Sequence, residues 1–187
     1  MPNKYNWKAK IENKQQTTPE EDKFIFEQAE KKLKELLVSS DLAVARSTTL
    51  ISLIVGMLVG LTSFSVSRYN TIHCFDAFIS MSMLTAAYLY VVIWYISKNI
   101  KGTDHSSIGA SPTILFSDDF FSFTNDEKLR TKIFVWSQIE NYQDSIDINR
   151  PINEKKWCRF NLTMKLVIAT PLVLLAAFYI VRFLWFR

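Results

Sequence analysis

The sequence predicts an all-α integral membrane protein with three transmembrane helices, amphipathic cytoplasmic helices and one irregular cytoplasmic loop. Three observations carry this. Charged residues make up 21% of the 187 residues, close to a soluble average, yet three long stretches contain none. Those stretches approach the roughly 20 apolar residues that cross a hydrocarbon core at ~1.5 Å per residue. The lysines and arginines between them are shared out very unequally. A buried helix in a soluble protein could account for one such stretch but accounts poorly for three. Only four Gly and five Pro occur, as long helices require.

Residues 1–17 read as a flexible arm. The start, MPNKYNWKAKIENK, is polar with no apolar core, so no cleavable signal peptide is expected. Residues 18–45 form the first amphipathic helix. Thr18 caps it, Pro19 suits its first position and Glu21 completes a capping box. Phe26, Ala29, Leu33 and Leu36 fall on one face, opposite Lys and Glu. That face is expected to pack on the other cytoplasmic helix, with at most an interruption near Ser39-Ser40-Asp41.

The first span is 46–67, where Ser47–Ser67 are 21 residues without a charge. A short outer loop, 68–76, leads to the second span, 77–97, again 21 uncharged residues. Gly102, Asp104, Gly109 and Ser111-Pro112 punctuate an irregular loop over 98–125. Its aromatic cluster, Phe116, Phe120, Phe121 and Phe123, needs burial. A helix over 126–164, capped by Thr124 or Asn125, carries Ile133, Trp136, Ile139, Tyr142 and Ile146 at 3-4 spacing. Pro151 should kink or break it. The third span is 165–187, uncharged from Leu166 to Val181, with Arg182 snorkelling and Trp185 among the headgroups.

Orientation follows from the cations. Eight Lys lie in 1–43 and ten Lys and Arg in 98–165, together 18 of the 22. The positive-inside rule places both segments in the cytoplasm of an inner-membrane protein, with the C-terminus periplasmic. Cys74 and Cys158 then face opposite sides, cannot pair and lack zinc-ligand spacing, so no metal is expected.

Three groups of residues are candidates for function. Ser52, Gly56 and Gly60 form a small-xxx-small row on the first span. It suits either an oligomer interface or packing on the second span through Ser82 and Ala86. Leu33, Leu36, Ile139 and Ile146 are candidates for a seam between the two cytoplasmic helices. Arg130, Arg150, Lys155, Lys156 and Arg159, near Trp136, Tyr142 and Trp157, have the chemistry to hold an anion such as a cyclic nucleotide. The same residues at a membrane boundary serve as headgroup contacts, which is the favoured reading. Asp41 and Arg46 read as interface anchors rather than gating charges. No P-loop, GxSxG or HExxH occurs, and His73 and His105 fall on opposite sides of the bilayer, so no enzyme, cofactor or nucleic-acid polymer is expected.

The order of parts has a family resemblance. An amphipathic helix ends in LVSSDLAVARSTTL, two close spans follow, and IENYQDSIDINRPINEKKWCRFNLTMK leads to the last span. Over about residues 22–185 this resembles the small membrane effectors of bacterial anti-phage systems, especially the three-span Pycsar-type effector domain. Pro151 is a departure from the continuous last helix of that pattern. The resemblance implies abortive infection, in which a cytoplasmic signal, often a cyclic nucleotide, drives a homo-oligomer to breach the inner membrane. An alternative of a different class is a non-enzymatic accessory or scaffold subunit that recruits a cytoplasmic partner protein.

Overall fold

The computed structural model describes residues 14, 16–73, 76–101 and 126–185. Its principal elements are four helices: α1 (Pro19–Ile72), α2 (Ala77–Ser97), α3 (Glu127–Ile168) and α4 (Thr170–Trp185). No strand occurs among the described residues. The helix α1 contains, and α2 is, a stretch long and apolar enough to cross a membrane; α3 and α4 make a third if the bent pair counts as one span. The irregular loop falls almost wholly outside the described residues, as do Cys74 and most of the N-terminal arm.

Local chemistry sets the helix ends. Glu21 N–H donates to the Thr18 hydroxyl at 3.2 Å, and Thr18 N–H returns a bond to the Glu21 carboxylate at 2.7 Å. This is the expected capping box, and the Thr18 N–H holds the Glu21 carboxyl below its ordinary pKa. The helix α1 then runs on past Ser39-Ser40-Asp41 without a break. Along its apolar half, Ser47, Thr48, Thr49, Ser52, Thr62, Ser65 and Thr71 each donate to a carbonyl one turn back. These hydroxyls need neither water nor a partner helix, a requirement in lipid.

Four boundaries differ from the sequence expectations. The helix α1 continues to Ile72, past the expected end of the first span at 67. His73 turns the chain with φ 55°. The cap of α3 is Asp126, whose carboxylate accepts from Lys128 and Leu129 N–H, rather than Thr124 or Asn125. Pro151 does not break α3, which is helical through it. A proline inside a helix removes one hydrogen bond and costs about 3 kcal/mol. Here burial on both sides offsets that cost: Ile146 and Asn149 precede it, and Asn153 follows with a bond to the Ser39 hydroxyl at 3.1 Å. The break falls instead at Ala169, ahead of Pro171, where α3 and α4 meet at 49°.

The chain divides into two compact units. The first comprises 1–41 and 103–154, the second 42–102 and 155–187. In the first, the opening part of α1 and the opening part of α3 pack in parallel, since Asp22 meets Trp136, Phe26 meets Tyr142 and Ser39 meets Asn153. Leu33, Tyr142 and Ile146 form its buried cluster, with Phe26, Ala29, Leu36 and Leu37 against it. In the second unit, Leu50, Ile54, Leu89, Val92 and Ile96 are the buried cluster, with Phe160, Met164, Leu166 and Val167 packed on it. Large apolar side chains cover the outside of the spans: Leu53 is 60% exposed, Trp94 58% and Leu172 69%. Such a surface on a chain of this size suits lipid rather than water.

Candidate functional site

A junction of three helices in the second unit gathers the most distinctive chemistry. Asn99, just past the end of α2, is fully buried. Its amide donates to the Ser47 hydroxyl of α1 at 3.1 Å and to the Lys156 carbonyl of α3 at 2.9 Å. One side chain thus ties three helices at one level. The second bond reaches a helical carbonyl from the side, which only a donor at close range achieves. The amide oxygen of Asn99 has no hydrogen-bond partner among the described residues.

Cations and aromatics surround this tie. The Arg46 guanidinium lies over the Trp157 ring, 5.4 Å from its centre, and Trp157 meets Phe160 edge-on at 5.8 Å. The Lys98 ammonium lies 3.8 Å from the centre of the Trp94 ring and 5.9 Å from that of Tyr95. Arg159 donates to the Lys98 carbonyl at 3.4 Å. Cation–π contacts of this kind pin long side chains that would otherwise move freely.

The candidate anion-binding cations behave differently from one another. Lys156 and Arg159 sit at this junction, Lys156 buried and Arg159 partly so. Lys155 is exposed in the same unit. Arg130 and Arg150 belong to the first unit, 20 residues apart on one helix. At ~1.5 Å per residue they lie roughly 30 Å from each other and cannot grip one small ligand.

Of the seam candidates, Leu33, Leu36 and Ile146 meet in the cluster of the first unit, and Ile139 is buried on the same helix. Burial pushes the Tyr142 phenol up, with the Glu30 carboxylate adding to it. Pattern reading missed the polar part of this unit. Trp136 donates its indole N–H to buried Asp22 at 2.9 Å, and the Lys132 ammonium lies 4.0 Å from the same carboxylate. Beside it is a cavity of about 890 Å³ whose lining includes Phe26, Leu129, Phe134 and Val135.

Ser52, Gly56 and Gly60 are all exposed, and a Cβ built on either glycine meets nothing within 4 Å. Packing of this row on the second span is therefore not formed. Ser82 and Ala86 instead line a groove of about 380 Å³ with Leu61, Thr62 and Ser65. At the other end of the spans Asp76 caps α2, accepting from Ile79 N–H at 2.9 Å and from Arg68 at 2.5 Å. Among the described residues no three His, Cys, Asp or Glu side chains converge as metal ligands.

Comparison with known proteins adds no family: no family model, curated protein or solved structure matches the chain.

Proposed function

We propose that this protein is a membrane-embedded effector of a bacterial anti-phage system, acting by abortive infection. On this reading residues 1–43 and 98–165 are cytoplasmic, and a cytoplasmic signal of the cyclic-nucleotide class leads copies of the chain to assemble and compromise the inner membrane. Beside the resemblance, one observation carries the reading: α1 and α3 each pass without interruption from the polar unit into the apolar one. A signal received on the seam of the first unit then has a continuous element along which to act. It must bind two arrangements with different affinity, because a ligand that binds both equally shifts nothing. The exposed Ser52, Gly56 and Gly60 row supports assembly between copies.

Induced expression in a bacterial host, followed with a voltage-sensitive dye, tests this. Growth arrest with depolarisation is expected once the signal is supplied. The alternative, an accessory subunit that recruits a cytoplasmic partner, is favoured by the apolar cavity beside Phe26 and Phe134. An inert protein that copurifies with a stoichiometric partner would decide for that alternative.

A further inference from the structure

We infer that the three-helix junction around Asn99 is a binding site for the headgroup of one anionic phospholipid, held through its phosphodiester by Arg46, Lys98 and Arg159. The inference is independent of the effector reading and holds equally for a scaffold.

Charge is the first argument. The second unit contains a single acid, Asp76, at the opposite end of α2 from Lys98. Of its ten Lys and Arg, six fall within the short stretches 46–47, 98–101 and 155–159. Among the described residues the acids nearest in sequence to Arg46 and Arg159 on their own helices are Asp41 and Glu154, each five positions earlier. Five positions correspond to about 140° of rotation, so those carboxylates project from another face. Among the described residues Arg46, Lys98 and Arg159 form no ion pair, and a lipid phosphate supplies the anion.

Placement is the second. A merely basic membrane boundary would have mobile lysines spread over its rim. Here Asn99 fixes α1 and α3 against the end of α2, Arg159 bonds to the Lys98 backbone, and Arg46 and Lys98 rest on Trp157 and Trp94. Positions fixed in advance reduce the ordering cost of binding. Guanidinium groups grip phosphate oxygens in pairs. Indole rings are at home among headgroups, which sets the depth of the site at the edge of the hydrocarbon. The apolar surface beside it, including exposed Trp94 and Val91, suits acyl chains.

The test uses the full chain in mixed detergent–lipid micelles. Thermal unfolding is compared with dioleoylphosphatidylglycerol and with dioleoylphosphatidylcholine at equal mole fraction, and bound lipid is counted by native mass spectrometry. Phosphatidylglycerol should raise Tm and be retained. The variants R46Q, K98Q and R159Q should each weaken retention by about fivefold, the effect of removing one cation near an anionic surface. Control variants K23Q and K128Q in the first unit should leave it unchanged. Equal retention of the two lipids overturns the proposal, as does loss of retention in the controls comparable to that in the junction variants. A Tm shift reproduced by inorganic phosphate alone would mean a free-anion site and would also overturn it. Should one junction variant fail to fold, retention by the other two still decides.

Discussion

Tyr88 and Leu166, 78 positions apart, are joined by a hydrogen bond: the phenol donates to the Leu166 carbonyl at 2.9 Å. The Thr170 hydroxyl shares the same acceptor at 3.4 Å. The bond sits where α3 ends and the chain bends by 49°. Pro171 has no N–H for the Val167 carbonyl one turn back, and at the break Thr170 reaches the Leu166 carbonyl through its hydroxyl, so the carbonyls of this turn need other donors. In lipid an unsatisfied carbonyl is costly, and broken helices persist only where another group caps them. The variant Tyr88→Phe keeps the ring and removes the donor. We expect a loss of about 1 kcal/mol in unfolding measured in detergent, in the range of a single hydrogen bond. A variant as stable as the parent would mean that Thr170 alone caps the bend.

Asp22 and Trp136 set a comparable test in the first unit. The carboxylate is buried and accepts the indole N–H, with Lys132 nearby. Asp22→Ala leaves that N–H buried without a partner, which costs about 1–3 kcal/mol. Asp22→Asn retains an acceptor and should recover most of the loss. Urea unfolding followed by Trp fluorescence separates the two variants, and an equal loss in both would mean that charge, rather than the hydrogen bond, matters.

Acid should weaken the turn between α1 and α2. The Ile79 N–H, followed by Arg68, holds the Asp76 carboxyl below its ordinary value of 3.8. A depressed folded-state pKa contributes stability that is fully present above the unfolded value and is lost as pH falls through the folded one. The effect is therefore confined to pH below about 4. Asp76→Asn can still cap the helix but cannot pair with Arg68, so its stability should stay flat where the parent declines. Thermal unfolding in detergent between pH 6 and 3 reads the difference.

Much of the architecture was legible because lipid simplifies the code. Uninterrupted apolar length marked stretches that the structure forms as helices long and apolar enough to cross a membrane, and the Thr18–Glu21 box marked a helix start that the structure contains. Pro151 does not end the helix, because a proline signals only the local cost of helix and not the burial around it, which Ile146, Asn149 and Asn153 supply. The actual break carried a quieter signal, Thr170-Pro171, inside an otherwise apolar run. Asn99 was invisible for a different reason. A lone Asn after a span looks like a loop residue, and only tertiary structure brings Ser47 and the Lys156 carbonyl to it. The five candidate cations illustrate the same limit, since sequence proximity grouped Arg150 with Arg159 but distances along a helix separated Arg130 from Arg150.

The glycine row gives a prediction about assembly. Gly56 and Gly60 have open space where a side chain would go, so Gly56→Ile and Gly60→Ile leave the folded chain undisturbed. If copies pack through this face, bulky side chains hold their backbones apart. We expect normal helicity with a lower assembly state in detergent, read by cross-linking and light scattering. Unchanged assembly in both variants would assign the row to lipid contact alone.

The last prediction concerns orientation. Cys158 is exposed and lies two residues past Lys156, at the end of the spans that also carries Arg46 and Lys98. Six cations fall in the adjoining stretches and one, Arg68, near the other end of α1, so the positive-inside rule leads us to expect this end in the cytoplasm. A membrane-impermeant maleimide applied to intact cells should therefore leave Cys158 unmodified, and should modify it once the membrane is permeabilised. The parent serves as its own accessibility control, because the thiol is already at the surface. A Cys74→Ser background isolates the signal. Modification of Cys158 in intact cells would invert the topology and place the cationic junction, with its lipid site, in the opposite leaflet.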